Sequence, residues 1–184
     1  VAAGKIQAKH IEPLLAIVQH GYCLHKGWGF GKVKTLDGIL GRLTIDFTGK
    51  PGHAMDLAFA AESLKPIGKD HILARKANDL AGLKQEAARN HLAVVRLALE
   101  SNGGRATADQ IQNILVPDVI GSDWKKWWET ARSEMKKDGH FLVPTKKSEP
   151  IVYQAKEVSL QDRLLQDFRA AKGLKARVAV AAEL

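Results

Sequence analysis

The residues that could carry chemistry in this sequence are seven histidines, one cysteine and scattered carboxylates. His20, Cys23 and His25 lie close together and suggest a metal site, but a fourth ligand at suitable spacing is missing. Asp46 occupies a polar position of an alternating strand, so its carboxylate should point to solvent rather than into an acid–base pair. The GxxxxGK[ST], HExxH and GxSxG motifs do not occur. We therefore predict no catalytic residue, no metal site and no cofactor.

Tryptophans and cations form a more informative pattern between residues 123 and 150. Apolar residues recur with helical spacing and predict one helix face made of Trp124, Trp127, Trp128, Ala131 and Met135. This face is predicted to lie in the core, and stacking on nucleic-acid bases is the alternative. Cations beside it and in the next polar turn could follow a phosphate backbone. The predicted nucleic-acid-binding residues are Lys125, Lys126, Arg132, Lys136, Lys146 and Lys147.

The charge balance argues against a dedicated nucleic-acid reader. Residues 123–150 contain seven Lys or Arg and five Asp or Glu. The whole chain has a net charge of +8, of which +3 falls on residues 1–68 and +5 on residues 69–184. A charge that is spread in this way favours docking on a large protein complex, and nucleic-acid contact is the second interpretation.

The first third of the chain predicts a helix followed by a small β region. Apolar residues at helical intervals predict an N-terminal helix over residues 1–20. Closely spaced glycines then separate four or five short strands over residues 21–68, with a hairpin signal at Asp37-Gly38. So few strands cannot form two sheets, so we predict a small SH3-like or Tudor-like barrel.

The rest of the chain predicts helices and one β-hairpin. Residues 69–155 are predicted as helix, helix, helix and hairpin, which is the order of a winged-helix domain. One of these helices is predicted to run from Leu83 to Ser101, and another begins after an N-cap at Thr107. The Ala-, Leu- and Arg-rich residues 156–184 predict a C-terminal helix. The predicted fold class is thus α+β, with 45% hydrophobic residues to supply a core.

The ends of the sequence suggest a piece of a longer protein. The first residue is Val1, and the helical pattern still continues at Leu184. The sequence shows no secretory signal and no apolar run of about 18 residues, so a cytoplasmic location away from membranes is expected.

The β region resembles a known module. Residues 25–33, 43–47 and 64–66 are similar to the Tudor-type modules of UvrD/PcrA-type helicases, CarD-type regulators and the transcription-repair coupling factor. In those families the module docks on RNA polymerase. The resemblance implies partner-binding residues at Trp28, Lys32, Lys34 and Arg42. A core position for Trp28 is the alternative interpretation.

The chain as a whole resembles a second, more specific group. The order of its elements and the run Asp123-Trp124-Lys125-Lys126-Trp127-Trp128 are similar to the N-terminal extensions fused to Gre-type transcript-cleavage factors of the Chlamydiae–Verrucomicrobia group. Gre factors act through a coiled coil with acidic residues at its tip, and no such segment is visible in the sequence.

This resemblance implies a non-enzymatic interaction region of a bacterial transcription elongation factor. The expected partner is RNA polymerase, with DNA or RNA as a further partner and no small-molecule substrate. The first alternative is an autonomous DNA- or RNA-binding module. A fragment of an enzyme whose active site lies elsewhere is the second.

Overall fold

The computed structural model describes residues 6–156 together with residues 168 and 178, and the chain divides into two units, Val1–Asp79 and Leu80–Leu184. The described ranges contain seven helices and two antiparallel sheets, which confirms a mixed helix-and-sheet fold. None of the helices in these ranges is long and apolar enough to cross a membrane.

Unit 1 begins with α1 (Ala8–His20), which carries Pro13 and ends at Gly21. Gly21 has a φ of 75°, a conformation that a side chain would strain, so glycine ends the helix here. The elements that follow are β1 (Tyr22–His25), β2 (Gly29–Asp37), β3 (Arg42–Phe47), β4 (Lys50–Asp56), α2 (Leu57–Ser63), β5 (Leu64–Pro66) and α3 (Ile72–Asn78).

The five strands of unit 1 form one antiparallel sheet in the order β4-β3-β2-β1-β5. The predicted hairpin is present, and the Asp37 carboxylate holds its turn by accepting bonds from the backbone N–H groups of Ile39 and Leu40. The predicted closed barrel is not confirmed, because no strand pairing joins β4 to β5 within the described residues.

Buried and partly exposed residues alternate along β3, and the buried ones form part of the core of unit 1. Leu43, Ile45 and Phe47 are buried, while Thr44 and Asp46 between them are partly exposed, as the sequence pattern predicts. The buried β3 residues pack with apolar side chains of α1, α2 and the other strands: Leu14, Ile17, Cys23, Met55, Leu57, Ala60 and Leu64.

Helix α3 lies in unit 1, although the sequence analysis grouped it with the second domain. Ala74 packs with Tyr22 and Ile67 in a separate buried cluster. The Tyr22 hydroxyl also donates a hydrogen bond to the side-chain oxygen of Asn78. These contacts hold α3 against the sheet. The spacing of apolar residues within the helix could not show against which element it packs.

Unit 2 contains α4 (Leu80–Arg89), α5 (His91–Ser101), β6 (Arg105–Ala106), α6 (Ala108–Leu115), α7 (Trp124–Lys137), β7 (Phe141–Leu142) and β8 (Ile151–Tyr153). The single helix predicted from Leu83 to Ser101 is wrong. Asn90 has non-helical backbone angles, and its side chain accepts a hydrogen bond from the N–H of Ala93 at 3.0 Å. It therefore ends α4 and caps α5.

The other predicted elements of unit 2 occur, with shorter strands. Thr107 caps α6 in a reciprocal arrangement with Gln110, as expected. The predicted hairpin is β7–β8, and the unpredicted β6 pairs with β8 to give the order β6-β8-β7. The C-terminal helix predicted over residues 156–184 lies outside the described residues, apart from Lys156, Phe168 and Val178.

Candidate nucleic-acid interface

Helix α7 places the tryptophan pattern at the surface of unit 2. Ala131 and Met135 are fully buried, as predicted. Trp124, Trp127 and Trp128 are partly buried, so the rings are less enclosed than the fully buried part of the predicted core face. Helical spacing fixes the direction of a side chain, but the neighbouring elements decide how much of it they cover.

The three indole rings form a connected series. The centroid of Trp124 lies 5.7 Å from that of Trp127 and 5.1 Å from that of Trp128, with interplanar angles of 22° and 20°. Trp127 is also anchored, because its Nε1–H donates to the carbonyl oxygen of Ala87 at 2.7 Å. His91 packs against the same ring with centroids 5.3 Å apart. Trp128 is therefore the ring at the other end of the series.

A groove of about 310 Å³ lies between α7 and the β7–β8 hairpin. Its walls combine ring surface, cations, two carboxylates and apolar side chains. The lining residues are Ala108, Trp124, Lys125, Trp128, Glu129, Arg132, Val143, Pro144, Lys146, Lys147, Glu149 and Ile151. We call this feature the α7 groove.

Two contacts shape the hairpin wall of the α7 groove. Arg132 donates through Nη2 to the carbonyl oxygen of Pro144 at 3.2 Å, which ties α7 to the segment after β7. Lys146 lies 3.6 Å from a carboxylate oxygen of Glu149 across the turn. Both Lys146 and Glu149 are well exposed, so this ion pair contributes little to stability.

The α7 groove brings together four of the six predicted nucleic-acid-binding residues: Lys125, Arg132, Lys146 and Lys147. Lys126 and Lys136 are exposed on α7 but do not line it. The position of Trp124 and Trp128 in the same groove as these cations was not predicted. Trp128 and Lys146 are 18 positions apart in the chain, which hid this proximity, although the helix-then-hairpin order was the available signal.

The predicted partner-binding residues of unit 1 lie on β2, β3 and the turn before β2. Lys32 and Arg42 are exposed, and Lys34 is held 2.9 Å from a carboxylate oxygen of Asp46. The hydrogen bond from Lys34 is the main cause that lowers the pKa of Asp46 below its usual range, and the hydrogen bond from the N–H of Gly52 is the second. Asp46 is thus an ionised partner of Lys34.

Three ring side chains and one lysine lie close to the ring of Trp28. Its ring stacks on His25 with centroids 4.1 Å apart, and Phe47 and His53 approach at 5.4 Å and 4.4 Å. Lys50 Nζ lies 4.9 Å from the ring centroid. Trp28 is partly buried against the core of unit 1, in the position that the alternative interpretation gave it.

The histidines and the cysteine show no arranged metal site. Over residues 6–156, no group of three His, Cys, Asp or Glu side chains is placed to hold a metal ion. Cys23 is buried, and desolvation raises the pKa of its thiol to about 12. The thiol therefore remains protonated, and its Sγ lies 3.8 Å from the carbonyl oxygen of Gly31.

A larger and more open depression of about 570 Å³ runs along α1 in unit 1. Its lining is mainly apolar, with Ile11 and Leu15 exposed and Glu12 as its charged residue. It gathers neither cations nor paired titratable groups, so the α7 groove is the better candidate site.

Comparison with known proteins places these features in context. Residues 73–158 match the family model of the GRAD helix-turn-helix domain. No solved structure matches the chain significantly.

Three relatives carry related names. The chain is 31% identical over 155 residues to the transcription elongation factor GreA of Chlamydia trachomatis, a match that covers 82% of this chain and 21% of that protein. It is 33% identical over 143 residues to the protein of the same name from Chlamydia pneumoniae, covering 76% and 20%. A protein of Treponema pallidum named for GreA-associated domains is 25% identical over 172 residues, covering 91% and 25%.

The chain thus spans about a fifth to a quarter of the length of these relatives. The predicted relation to Gre-type factors is confirmed, whereas the position as an N-terminal extension and the Tudor-like resemblance remain predictions. The findings thus support a chain related to Gre-type factors, whose residues 73–158 match the GRAD helix-turn-helix domain.

Proposed function

We propose that the chain is a non-catalytic accessory region of a Gre-related transcription elongation factor and that unit 2 binds nucleic acid through the α7 groove. The observation that carries this proposal is the convergence of Lys125, Arg132, Lys146 and Lys147 on one groove that also contains tryptophan rings. Cations supply the sequence-independent attraction to phosphates, and aromatic rings supply contact with bases.

The topology of unit 2 supports this proposal. In helix-turn-helix proteins the second helix of the motif docks on nucleic acid. We assign the motif to α6 and α7, the last two helices before the hairpin, which makes α7 that second helix. A β-hairpin follows α7 directly, in the order expected of a winged helix, and its turn carries Lys146 and Lys147. Helix and hairpin therefore present their cations from two sides of the same groove.

Fluorescence polarisation with labelled oligonucleotides tests the proposal. The variant Lys146→Gln/Lys147→Gln removes two groove cations, and Lys126→Gln/Lys137→Gln removes two exposed cations of α7 that lie outside the groove. We expect the first variant to bind at least about fivefold more weakly at low salt and the second to bind like the wild type. Equal losses in both variants, or no binding by the wild type, contradict the proposal.

A second candidate function is contact with RNA polymerase through unit 1. The specific observation is an apolar hairpin tip, where Ile39 is 99% exposed and Leu40 62% exposed. Arg42 follows after Gly41 and is also exposed. Exposed apolar side chains beside a cation are typical of a protein-binding surface.

Co-purification with core RNA polymerase tests this second function. We expect Ile39→Asp/Leu40→Asp to abolish retention, and Phe59→Asp, at another exposed apolar position of unit 1, to leave it unchanged. Lys32→Glu/Arg42→Glu tests the predicted polar contacts. Trp28→Ala is a poorer probe, because Trp28 packs on His25 and Phe47. Retention of the hairpin variant at the wild-type level excludes the tip as the contact.

A further inference from the structure

The end of the tryptophan series points into the α7 groove. Trp124 has ring contacts with both Trp127 and Trp128, whereas the described ring contact of Trp128 is with Trp124 alone. Trp128 is partly exposed and lines the groove. A flat ring at the open end of a stacked series is a surface on which another flat ring can continue the stack.

The stack is held firmly at its other end. The bond from Trp127 Nε1 to Ala87 and the packing of His91 fix the first ring, and Trp124 lies between the fixed ring and Trp128. Ordering of a long surface side chain opposes binding, and a ring that is already positioned avoids most of that loss. The groove therefore offers a preformed stacking surface.

The bases of a double helix cannot use such a surface. Paired bases are stacked on one another and present only their edges in the grooves, so a ring face finds no partner there. Unpaired bases in a single strand can be splayed out and stacked on aromatic side chains. The volume of about 310 Å³ also lies at the small end of the roughly 300–1,000 Å³ range of ligand pockets, a size suited to one unpaired nucleotide.

The charges of the groove favour a single phosphate chain. Lys146 and Lys147 lie on the hairpin side and Arg132 on α7, and Glu129 and Glu149 interrupt the basic surface. Two carboxylates would repel the second backbone of a duplex laid across the rim, whereas one strand can pass along the cations. Arg132 uses Nη2 on Pro144, and its guanidinium has further N–H donors for a phosphate.

We propose that the α7 groove binds single-stranded nucleic acid, with an unpaired base stacked on Trp128 and the phosphates of the strand held by Lys125, Arg132, Lys146 and Lys147. This inference rests on the proposed function, since it names the class of nucleic acid that unit 2 recognises. Its distinctive content is the preference for an unpaired strand and the role of one ring.

The test measures binding of the 184-residue chain to RNA and DNA single strands of about ten nucleotides and to blunt-ended duplexes of the same length. We expect both kinds of single strand, or the one with the preferred sugar, to bind about tenfold or more tightly than the duplexes. The RNA and DNA arms distinguish the two sources of an unpaired strand. This comparison uses the wild-type chain and does not depend on a variant that folds.

Two substitutions at one position test the stacking itself. Trp128→Leu keeps apolar volume and removes the broad ring, and we expect it to weaken single-strand binding by about 5- to 100-fold. Trp128→Phe keeps an aromatic face and should retain most of the affinity. Circular dichroism and thermal unfolding establish that both variants fold.

The failures of the two proposals are distinguishable. Duplex binding that equals or exceeds single-strand binding, or equal affinities of Trp128→Leu and the wild type, overturns the single-strand inference and leaves nucleic-acid binding by unit 2 intact. No binding to any of the oligonucleotides overturns the proposed function and the inference together.

Discussion

Trp127 and Ala87 join two helices of unit 2 through one hydrogen bond, in which the indole Nε1–H donates to the Ala87 carbonyl oxygen at 2.7 Å. Ala87 lies in the last turn of α4, where carbonyl groups lack a partner within the helix. The tryptophan of α7 therefore satisfies a helix end that the backbone of α4 leaves open. This bond also fixes the first ring of the series that leads to the α7 groove.

Trp127→Phe tests this bond. The phenyl ring keeps most of the packing but lacks a hydrogen-bond donor. The carbonyl oxygen of the buried Ala87 is then left without this partner. We expect the free energy of unfolding to fall by about 1–3 kcal/mol, measured by urea denaturation. Trp124→Phe is the control, because the described contacts of Trp124 are ring contacts. An equal loss in both variants would mean that ring size, and not the hydrogen bond, stabilises the helix pair.

At Gly31 of β2, a side chain would clash with the core of unit 1. A Cβ atom at this position would lie 2.7 Å from Ile45 Cγ2 and from two ring atoms of Phe47, all in the core. Because packed cores tolerate added atoms poorly, we expect Gly31→Ala to destabilise the fold by about 1–3 kcal/mol. Gly38→Ala meets open space and should change stability little. A thermal unfolding midpoint for Gly31→Ala equal to that of Gly38→Ala would show that the core adapts to the methyl group.

The stability of unit 1 is expected to depend on pH through His53. Burial lowers the pKa of His53, with the charges of Lys50 and His25 as further causes, so the folded state favours the neutral ring. The unfolded chain binds the proton more readily, and stability is therefore lost as the pH falls below the ordinary histidine value of about 6.5.

The measurement is the unfolding free energy between about pH 7.5 and pH 5.5, a window fixed by the ordinary histidine pKa. His53→Gln should flatten the curve there. Asp46 and Glu62, whose hydrogen bonds to Lys34 and His10 lower their pKa values, act at more acidic pH, because their ionised forms stabilise the fold until they are protonated. A slope that His53→Gln leaves unchanged would assign the effect to other groups.

Salt dependence reports how many cations of the α7 groove meet phosphates. If Lys125, Arg132, Lys146 and Lys147 each neutralise one phosphate of a single strand, the slope of log K against log salt should be about −3. Removing two of them with Lys146→Gln/Lys147→Gln should reduce its magnitude by about 1.4. The variant Lys126→Gln/Lys137→Gln should keep the wild-type slope, and a reduced slope there would place phosphates outside the groove.

Sequence patterns predicted the parts of the fold that depend on residues close together in the chain. Alternation predicted the buried face of β3, Asp37-Gly38 predicted the hairpin, and Thr107 predicted the start of α6. These features arise from backbone geometry, capping and side-chain direction within a few residues. The break at Asn90 was missed because apolar residues continue on both sides of it, and the local cap outweighs that continuity.

The sequence by itself determined which side chains share a helix face or a strand face, and it singled out the tryptophans and cations around α7. Only the tertiary structure decided that Trp128 is left partly exposed and that Arg132 and Lys147 lie on the same groove. It also decided that the ring of Trp28 stacks on His25, although the sequence suggested that Trp28 contacts a partner protein. The physical reason is that periodicity sets the direction of a side chain, whereas its burial and its neighbours depend on elements that are distant in the chain.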